Sequence, residues 1–254
     1  MAHRNVRIDL LHARQVLRAT LPAARRGDDA ISLDEVVRAV CSALADDAEQ
    51  RARIKLVAFA GERDFRVNAE LGTQLGAFEQ LIDLGIPMAA VVRGSCTGGG
   101  LALAAFCNFI FAEREASFGG AMPGASEGLF DEAFGVLALK LGAGPALEML
   151  LPGGHRSTVE AYRQGLVAAW TAGDGALEQL VGKWLEAHLL PASAERLRAA
   201  NRAVRHTFHA ELRAELPALA QIQGGEPVLP RAVLPPVPVA LFSRTPAQGV
   251  RPVA

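Results

Sequence analysis

The sequence predicts an α/β fold with buried, parallel strands. Three observations carry this. The runs Ile54 to Gly61 (IKLVAFAG), Pro87 to Val92 and Phe109 to Ala112 are short, apolar and free of the alternation a half-exposed strand shows. Between the first two, Leu71, Leu75, Phe78, Leu81 and Ile82 recur at helical spacing. Between the last two lies a glycine-rich stretch running into an apolar segment. Strands without alternation are covered on both faces, and a helix between two of them is the signature of a β-α-β unit.

The elements follow in order. Val6, Ile8 and Leu10 alternate with polar residues, as do Val16 to Leu21 more loosely after the turn-like Leu11–Arg14, so the chain opens with a β-hairpin. The loop PAARRGDDA comes next. Ser32 stands three residues before Glu35 in a capping-box spacing, and Val36, Val37, Val40, Ala43 and Leu44 share a face, which predicts a helix over about 33–48. Past the β-α-β unit and the strand at Phe109 to Ala112, the pattern predicts helices at about 132–141, 145–151 and 157–164 and a short strand at Leu166–Val167. Beyond Pro191, Leu197, Ala200, Val204, Phe208, Leu212, Leu216 and Leu219 form one long amphipathic helix, whose stripe must pack on the core or on another subunit. From Pro217 onward eight of the 14 prolines fall within 38 residues and periodicity is lost, so an extended or disordered tail is expected. The domain reading is a core over 1–190, a C-terminal helical region over 191–223 and a proline-rich tail over 224–254.

Composition narrows the function. With 254 residues and 50% hydrophobic content the chain can bury a large core. Lys+Arg 26 against Asp+Glu 27 gives a net charge of −1, without the basic excess that binding a phosphate backbone requires, so no nucleic-acid partner is expected. The longest apolar stretch, Leu101 to Ala112, is 12 residues interrupted by Asn108, too short to span a bilayer. The three cysteines, Cys41, Cys96 and Cys107, lack metal-ligand spacing and read as reduced thiols of a cytoplasmic protein, with no metal site.

The chemistry concentrates in Val91 to Cys107, VVRGSCTGGGLALAAFC. Successive glycines let backbone approach a ligand, and N–H groups at a helix start can stabilise an anion or a developing oxyanion; alternatively the glycines only permit close helix–strand packing. Neither a P-loop nor a G-x-G-x-x-G spacing is present. In order and without a gap, PMAAVVRGSCTGGGLALAAFCNFIFAEREASFGG resembles the strand, G-x-x-x-G-G-G loop, helix, strand and A-x-F-G turn of the enoyl-CoA hydratase/isomerase, or crotonase, superfamily. LEMLLPGGHRSTVEAYRQGLVAAW and VAFAGERDFRVNAELG resemble two further segments of it, and the likeness covers roughly residues 5–220. The glycine loop and the C-terminal helical segment look most like the hydratases that act on cyclic dienoyl-CoA thioesters.

The resemblance implies a spiral of β-β-α turns, a C-terminal helical region used in forming a trimer or dimer of trimers, and an acyl-CoA thioester as ligand, with no cofactor beyond the coenzyme A of the substrate. It maps the two oxyanion-hole amides to Ala69 and Gly99, with Arg66, Asn68, Gly98 and Gly100 around the substrate. Asn68 replaces a glycine of the family pattern; asparagine is the next most tolerant residue of positive φ. The departures lie in the proton-transfer residues. Where family hydratases carry two glutamates, this chain has Ala102 and, in FGGAMPG, Ala121 or Met122. Asp131, flanked by Glu127 and Glu132, falls near an aspartate used by some relatives; a solvated loop carboxylate or a helix N-cap is its alternative role. Cys96 is either a nucleophile or a buried structural thiol, with His155 the nearest downstream histidine. Arg66 and the Arg25–Arg26 pair either meet coenzyme A phosphates or are ordinary surface. The expected functions are accordingly an acyl-CoA hydratase or isomerase, or a degenerate relative that binds acyl-CoA, or an active paralogue, without turnover.

Overall fold

A computed structural model describes residues 5–23, 30–68, 74–119, 137–151, 153–173 and 175–204. The chain divides into two compact units, Met1–Ala214 and Glu215–Ala254, and every described residue lies in the first. The amphipathic stripe beyond Val204 and the proline-rich tail therefore lie outside the described residues.

A six-stranded sheet forms the frame: β1 (Arg7–Leu11), β2 (Val16–Leu21), β3 (Leu56–Gly61), β4 (Met88–Val92), β6 (Phe109–Glu113) and β9 (Ala169–Thr171), adjacent in that order. β1 and β2 pair antiparallel as the expected hairpin, and all later neighbours are parallel. A second, three-stranded sheet joins β5 (Ser95–Cys96), β7 (Ser117–Phe118) and β8 (Arg156–Ser157). Isolated bridges Ser32↔Asn68 and Phe65↔Cys96 continue this small sheet toward the N-terminus. Each turn thus runs through a strand of the large sheet, a short strand or bridge in the small one, and then a helix. The turns are β2, Ser32 and α1 (Leu33–Ala45); β3, the bridge at Phe65 and α3 (Gln74–Asp83); β4, β5 and α4 (Gly99–Phe106). This is the β-β-α spiral.

The strands lack alternation because both faces of the large sheet are covered. One face, with Leu17, Ala19, Val57, Phe59, Met88, Ala90 and Ile110, packs against Val36, Val40 and Leu44 of α1, Leu81 of α3 and the wholly buried α4. The other, with Val16, Leu56, Ala58, Ala89 and Phe111, is covered by Leu177, Leu185 and Trp184 of α7 (Ala176–His188). Trp184 sets its ring 4.7 Å from Phe109 and 5.1 Å from Phe111. Arg93 secures this helix by pairing with Glu178, which Arg18 also reaches at 3.3 Å.

Several expectations are adjusted. The helix begins at Leu33 with the capping box of Ser32 and Glu35 in place, but ends at Ala45 rather than 48. Asp47 accepts from the Gln50 amide at 2.8 Å and starts a separate helix, α2 (Ala48–Arg53). The strand placed at Leu166–Val167 begins at Ala169 instead. After Gly165 (φ +89°), the Leu166 and Val167 amides donate back to Ala161 O at 2.9 and 3.3 Å, closing α6 (Thr158–Arg163) and leaving neither free for a ladder. The helix expected at 145–151 is α5 (Ala143–Leu150), and residues 137–141 are helical. α7 escaped the sequence reading, although Leu177, Leu180, Val181, Trp184 and Leu185 carry its periodicity.

Residues 194–204 are helical, and of the stripe residues among them Leu197 packs inward as expected while Ala200 and Val204 are exposed. Leu197 packs on the core, Asn201 is buried and Val204 is 64% exposed. Asn201 Nδ2 donates to Gly85 O at 3.1 Å and its Oδ1 accepts from Asn108 Nδ2 at 2.9 Å, so polar contacts seat this segment on its own subunit. Among the described residues no helix is long and apolar enough to cross a membrane.

Candidate active site

The glycine loop sits where β4 hands over to the small sheet. β5 ends at Cys96, Gly98 takes φ +54° and ψ −131°, and α4 starts at Gly99. Gly98 is a position where an L side chain would be strained. The Gly100 and Leu101 amides turn back to Thr97 O at 3.1 and 3.4 Å, and Ala102 N donates to Gly98 O at 3.1 Å. Gly99 is buried and, as first residue of the helix, has no intrahelical acceptor for its N–H. An amide so placed is a ready donor to negative charge.

The first loop lies against this one. Phe65 bridges Cys96, and its amide donates to Ser95 O at 2.9 Å. A Cβ at Gly100 would overlap the Phe65 carbonyl oxygen, so the third glycine is needed for this close approach whatever else it does. Further along, the Asn68 amide donates to Ile31 O and its carbonyl accepts from Leu33 N, each at 2.8 Å. Asn68 is not in the left-handed region: among the described residues only His12, Ala13 and Arg14 have positive φ without being glycine. Its tolerance of positive φ is therefore not what the position uses. Arg66 is half-buried on the same segment.

Ala102 lies one turn into α4 at 2% exposure, so the position where family hydratases carry a glutamate presents a methyl group within the core. The segment that would carry the second carboxylate leaves the described residues just after Gly119, whose amide donates to Cys96 O at 3.2 Å. Its root is thus bonded beside the glycine loop. Ala69, Arg25, Arg26, Ala121, Met122, Glu127, Asp131 and Glu132 all lie outside the described residues. Cys96 is fully buried, burial pushes its thiol well above the usual range with Cys107 adding to the effect, and His155 is exposed. A thiol held protonated and out of solvent is a structural group. Among the described residues no cluster of His, Cys, Asp and Glu could hold a metal ion.

Against known proteins, residues 63–225 match the family model described as enoyl-CoA hydratase/isomerase, well over half of the chain. The chain belongs to the enoyl-CoA hydratase/isomerase family. It is 33% identical over 153 residues to a probable enoyl-CoA hydratase of Rhizobium meliloti (strain 1021), a match covering 59% of each chain. It is 34% identical over 131 residues to the cyclohexa-1,5-dienecarbonyl-CoA hydratase of Thauera aromatica, covering 51% of this chain and 49% of that one. The matched stretches thus span about half to three fifths of these relatives. Among solved structures, an enoyl-CoA hydratase of Mycobacterium smegmatis superposes with a TM-score of 0.63 at 19% identity, over 89% of this chain and 93% of the other. A probable enoyl-CoA hydratase of Mycobacterium thermoresistibile gives 0.61 at 21% identity, over 82% and 92%. These two likenesses establish the enoyl-CoA hydratase/isomerase fold.

Proposed function

We propose that the chain binds an acyl-CoA thioester, with a cyclic dienoyl group as the favoured acyl chain, and stabilises its enolate between two backbone amides, those of Ala69 and Gly99. The observation that carries this reading is the buried Gly99 amide at the first turn of α4, set beside the segment 63–68 by the Phe65↔Cys96 bridge. As a nucleophile adds to the β carbon or a proton leaves the substrate, negative charge collects on the thioester oxygen. A preorganised donor aimed at that oxygen is worth about 3 kcal/mol in the transition state. Arg66, Asn68, Gly98 and Gly100 line the approach to the carbonyl in this reading. The name of the Thauera aromatica relative supports the cyclic acyl group. Asp131 serves as the acid/base group, coenzyme A enters only as part of the substrate, and the protein works in the cytoplasm as a trimer or dimer of trimers.

A second reading, that of a binding protein without turnover, is favoured by one specific observation: Ala102 cannot transfer a proton and stands buried where the family hydratases place a glutamate. A missing acid/base group costs about 10²–10⁴-fold in rate. Both readings give slow hydration of crotonyl-CoA, and the pair Ala102→Glu and Met122→Glu raises it. The rise is limited by the cost of desolvating a carboxylate at position 102. Vigorous hydration by the wild type, undiminished in Asp131→Asn, contradicts the impaired-site reading and the role of Asp131 together. Measurable turnover that Asp131→Asn abolishes favours the enzyme over the binding protein.

A further inference from the structure

The two segments that meet at the glycine loop are joined by a side chain as well as by backbone, that of Asp64. Between β3 and Asn68 the chain runs alongside residues 94–96, and the contacts read like a short parallel ladder. Gly94 N donates to Arg63 O at 2.9 Å, and Phe65 N donates to Ser95 O at 2.9 Å. The rung between them is not backbone to backbone. Ser95 N donates to the carboxylate Oδ1 of Asp64 at 2.8 Å. The Asp64 carbonyl is turned back toward β3, where a Cβ on Gly61 would stand 2.7 Å from it. In a regular parallel ladder the Ser95 amide would bond the Arg63 carbonyl, which Gly94 N occupies here, and the Asp64 carboxylate takes the amide so left over. The carboxylate is seated against bare backbone, since a Cβ on Gly94 would come within 2.5 Å of Oδ1.

The geometry points to Asp64 as a positioning residue, whose carboxylate sets the depth at which the loop 94–99 sits against the segment 63–68 and so places the Gly99 amide. This rests on the oxyanion reading above and adds to it the residue that sets the alignment. A hydrogen bond from a main-chain amide to a charged carboxylate is stronger than one between neutral groups. It lies four residues before Gly99, and the other end of the first segment is pinned independently by the Asn68 bonds to Ile31 and Leu33. The Arg63 and Phe65 backbone bonds hold on either side of Asp64, so altering its side chain releases the Ser95 amide alone and acts on the stretch between Ser95 and Gly99. A displacement of about 1 Å at a reacting group is enough to cost on the order of 10²-fold in rate.

The test compares binding of crotonyl-CoA with that of its thioether analogue, which keeps the coenzyme A and the acyl chain but replaces the carbonyl by CH2. Titration calorimetry on the full chain should show the thioester bound about tenfold more tightly by the wild type, the worth of the hydrogen bonds to its oxygen. In Asp64→Ala that ratio falls to within about twofold while thioether affinity is kept; in Asp64→Asn, whose Oδ1 still accepts, the ratio is retained. Gly94→Ala, whose Cβ would come within 2.5 Å of Oδ1 and 3.0 Å of the Arg63 carbonyl oxygen, displaces the acid together with the neighbouring rung and should collapse the ratio as Asp64→Ala does. It carries the test if Asp64→Ala does not fold. A ratio unchanged in Asp64→Ala, or in Gly94→Ala if that is the variant that folds, overturns the positioning role alone. Equal loss of both ligands overturns it too, because it marks general damage. A wild type with no thioester preference overturns the oxyanion reading and this role with it.

Discussion

Three consecutive residues in the first hairpin hold a conformation their side chains disfavour. His12, Ala13 and Arg14 take φ of 49°, 52° and 65°. Each non-glycine residue in the left-handed region costs about 1–2 kcal/mol. The turn survives because Gln50, buried in α2, grips it from both sides: its Nε2 donates to Arg14 O at 2.6 Å and its Oε1 accepts from Arg14 Nε at 2.7 Å. Ala13 makes no such bond and is exposed, so Ala13→Gly should raise stability by about 1 kcal/mol, read as a higher denaturant midpoint with unchanged slope. A fall in stability would mean that the turn is not left-handed at this residue. At the site the same residue-level accounting separates the three glycines. Gly98 meets a backbone angle, Gly100 meets a steric approach, and Gly99 begins the helix with its amide in the buried first turn.

At the scale of elements, the strands were legible because burial on both faces writes itself as unbroken apolar runs, and β3, β4 and β6 lie where those runs lie. The helix α1 was legible for a similarly local reason: Ser32 with Glu35 places reciprocal bonds at a fixed spacing, and the box of Ser157 with Glu160 at α6 carries the same spacing, which the sequence expectation left unused. The small sheet was not legible, since two-residue strands and single bridges leave no periodicity. In the helical segment 194–204 the apolar stripe tells only part of what is buried. The segment's inner face is seated by Asn201, a polar residue whose two bonds exist only once Asn108 and Gly85 are brought near. Val204 is left 64% exposed on that segment, ahead of Phe208, Leu212, Leu216 and Leu219 in the sequence. An apolar stripe of that length needs a partner surface. Light scattering at micromolar concentration should give the mass of a trimer or of a dimer of trimers, and the mass of a monomer would contradict the assembly.

For the whole molecule, the fold follows from repetition: each turn leaves the large sheet, touches the small one and returns through a helix. The loops of successive turns are therefore laid side by side. That is why the segments around Phe65 and around Cys96, far apart in sequence, meet side by side. The sequence made the second loop recognisable through its successive glycines and both loops through the resemblance of their motifs, in order, to the family, which also pointed to Ala102 at a glutamate position. It could not reveal Asp64, because the need for a side-chain acceptor arises only when Gly94 N takes the Arg63 carbonyl and leaves the Ser95 amide without one. Enolate stabilisation in this site requires that the carbonyl of a bound thioester be polarised by the Ala69 amide and by the Gly99 amide at the start of α4. Vibrational spectroscopy of crotonyl-CoA carrying carbon-13 at the carbonyl tests it most directly, through the isotope-edited stretch of the bound ligand. The stretch should fall at lower frequency than in free crotonyl-CoA in water, since two preorganised donors weaken the C=O bond more than solvent does. A bound ligand whose carbonyl stretch is unmoved, or moved to higher frequency, would contradict it.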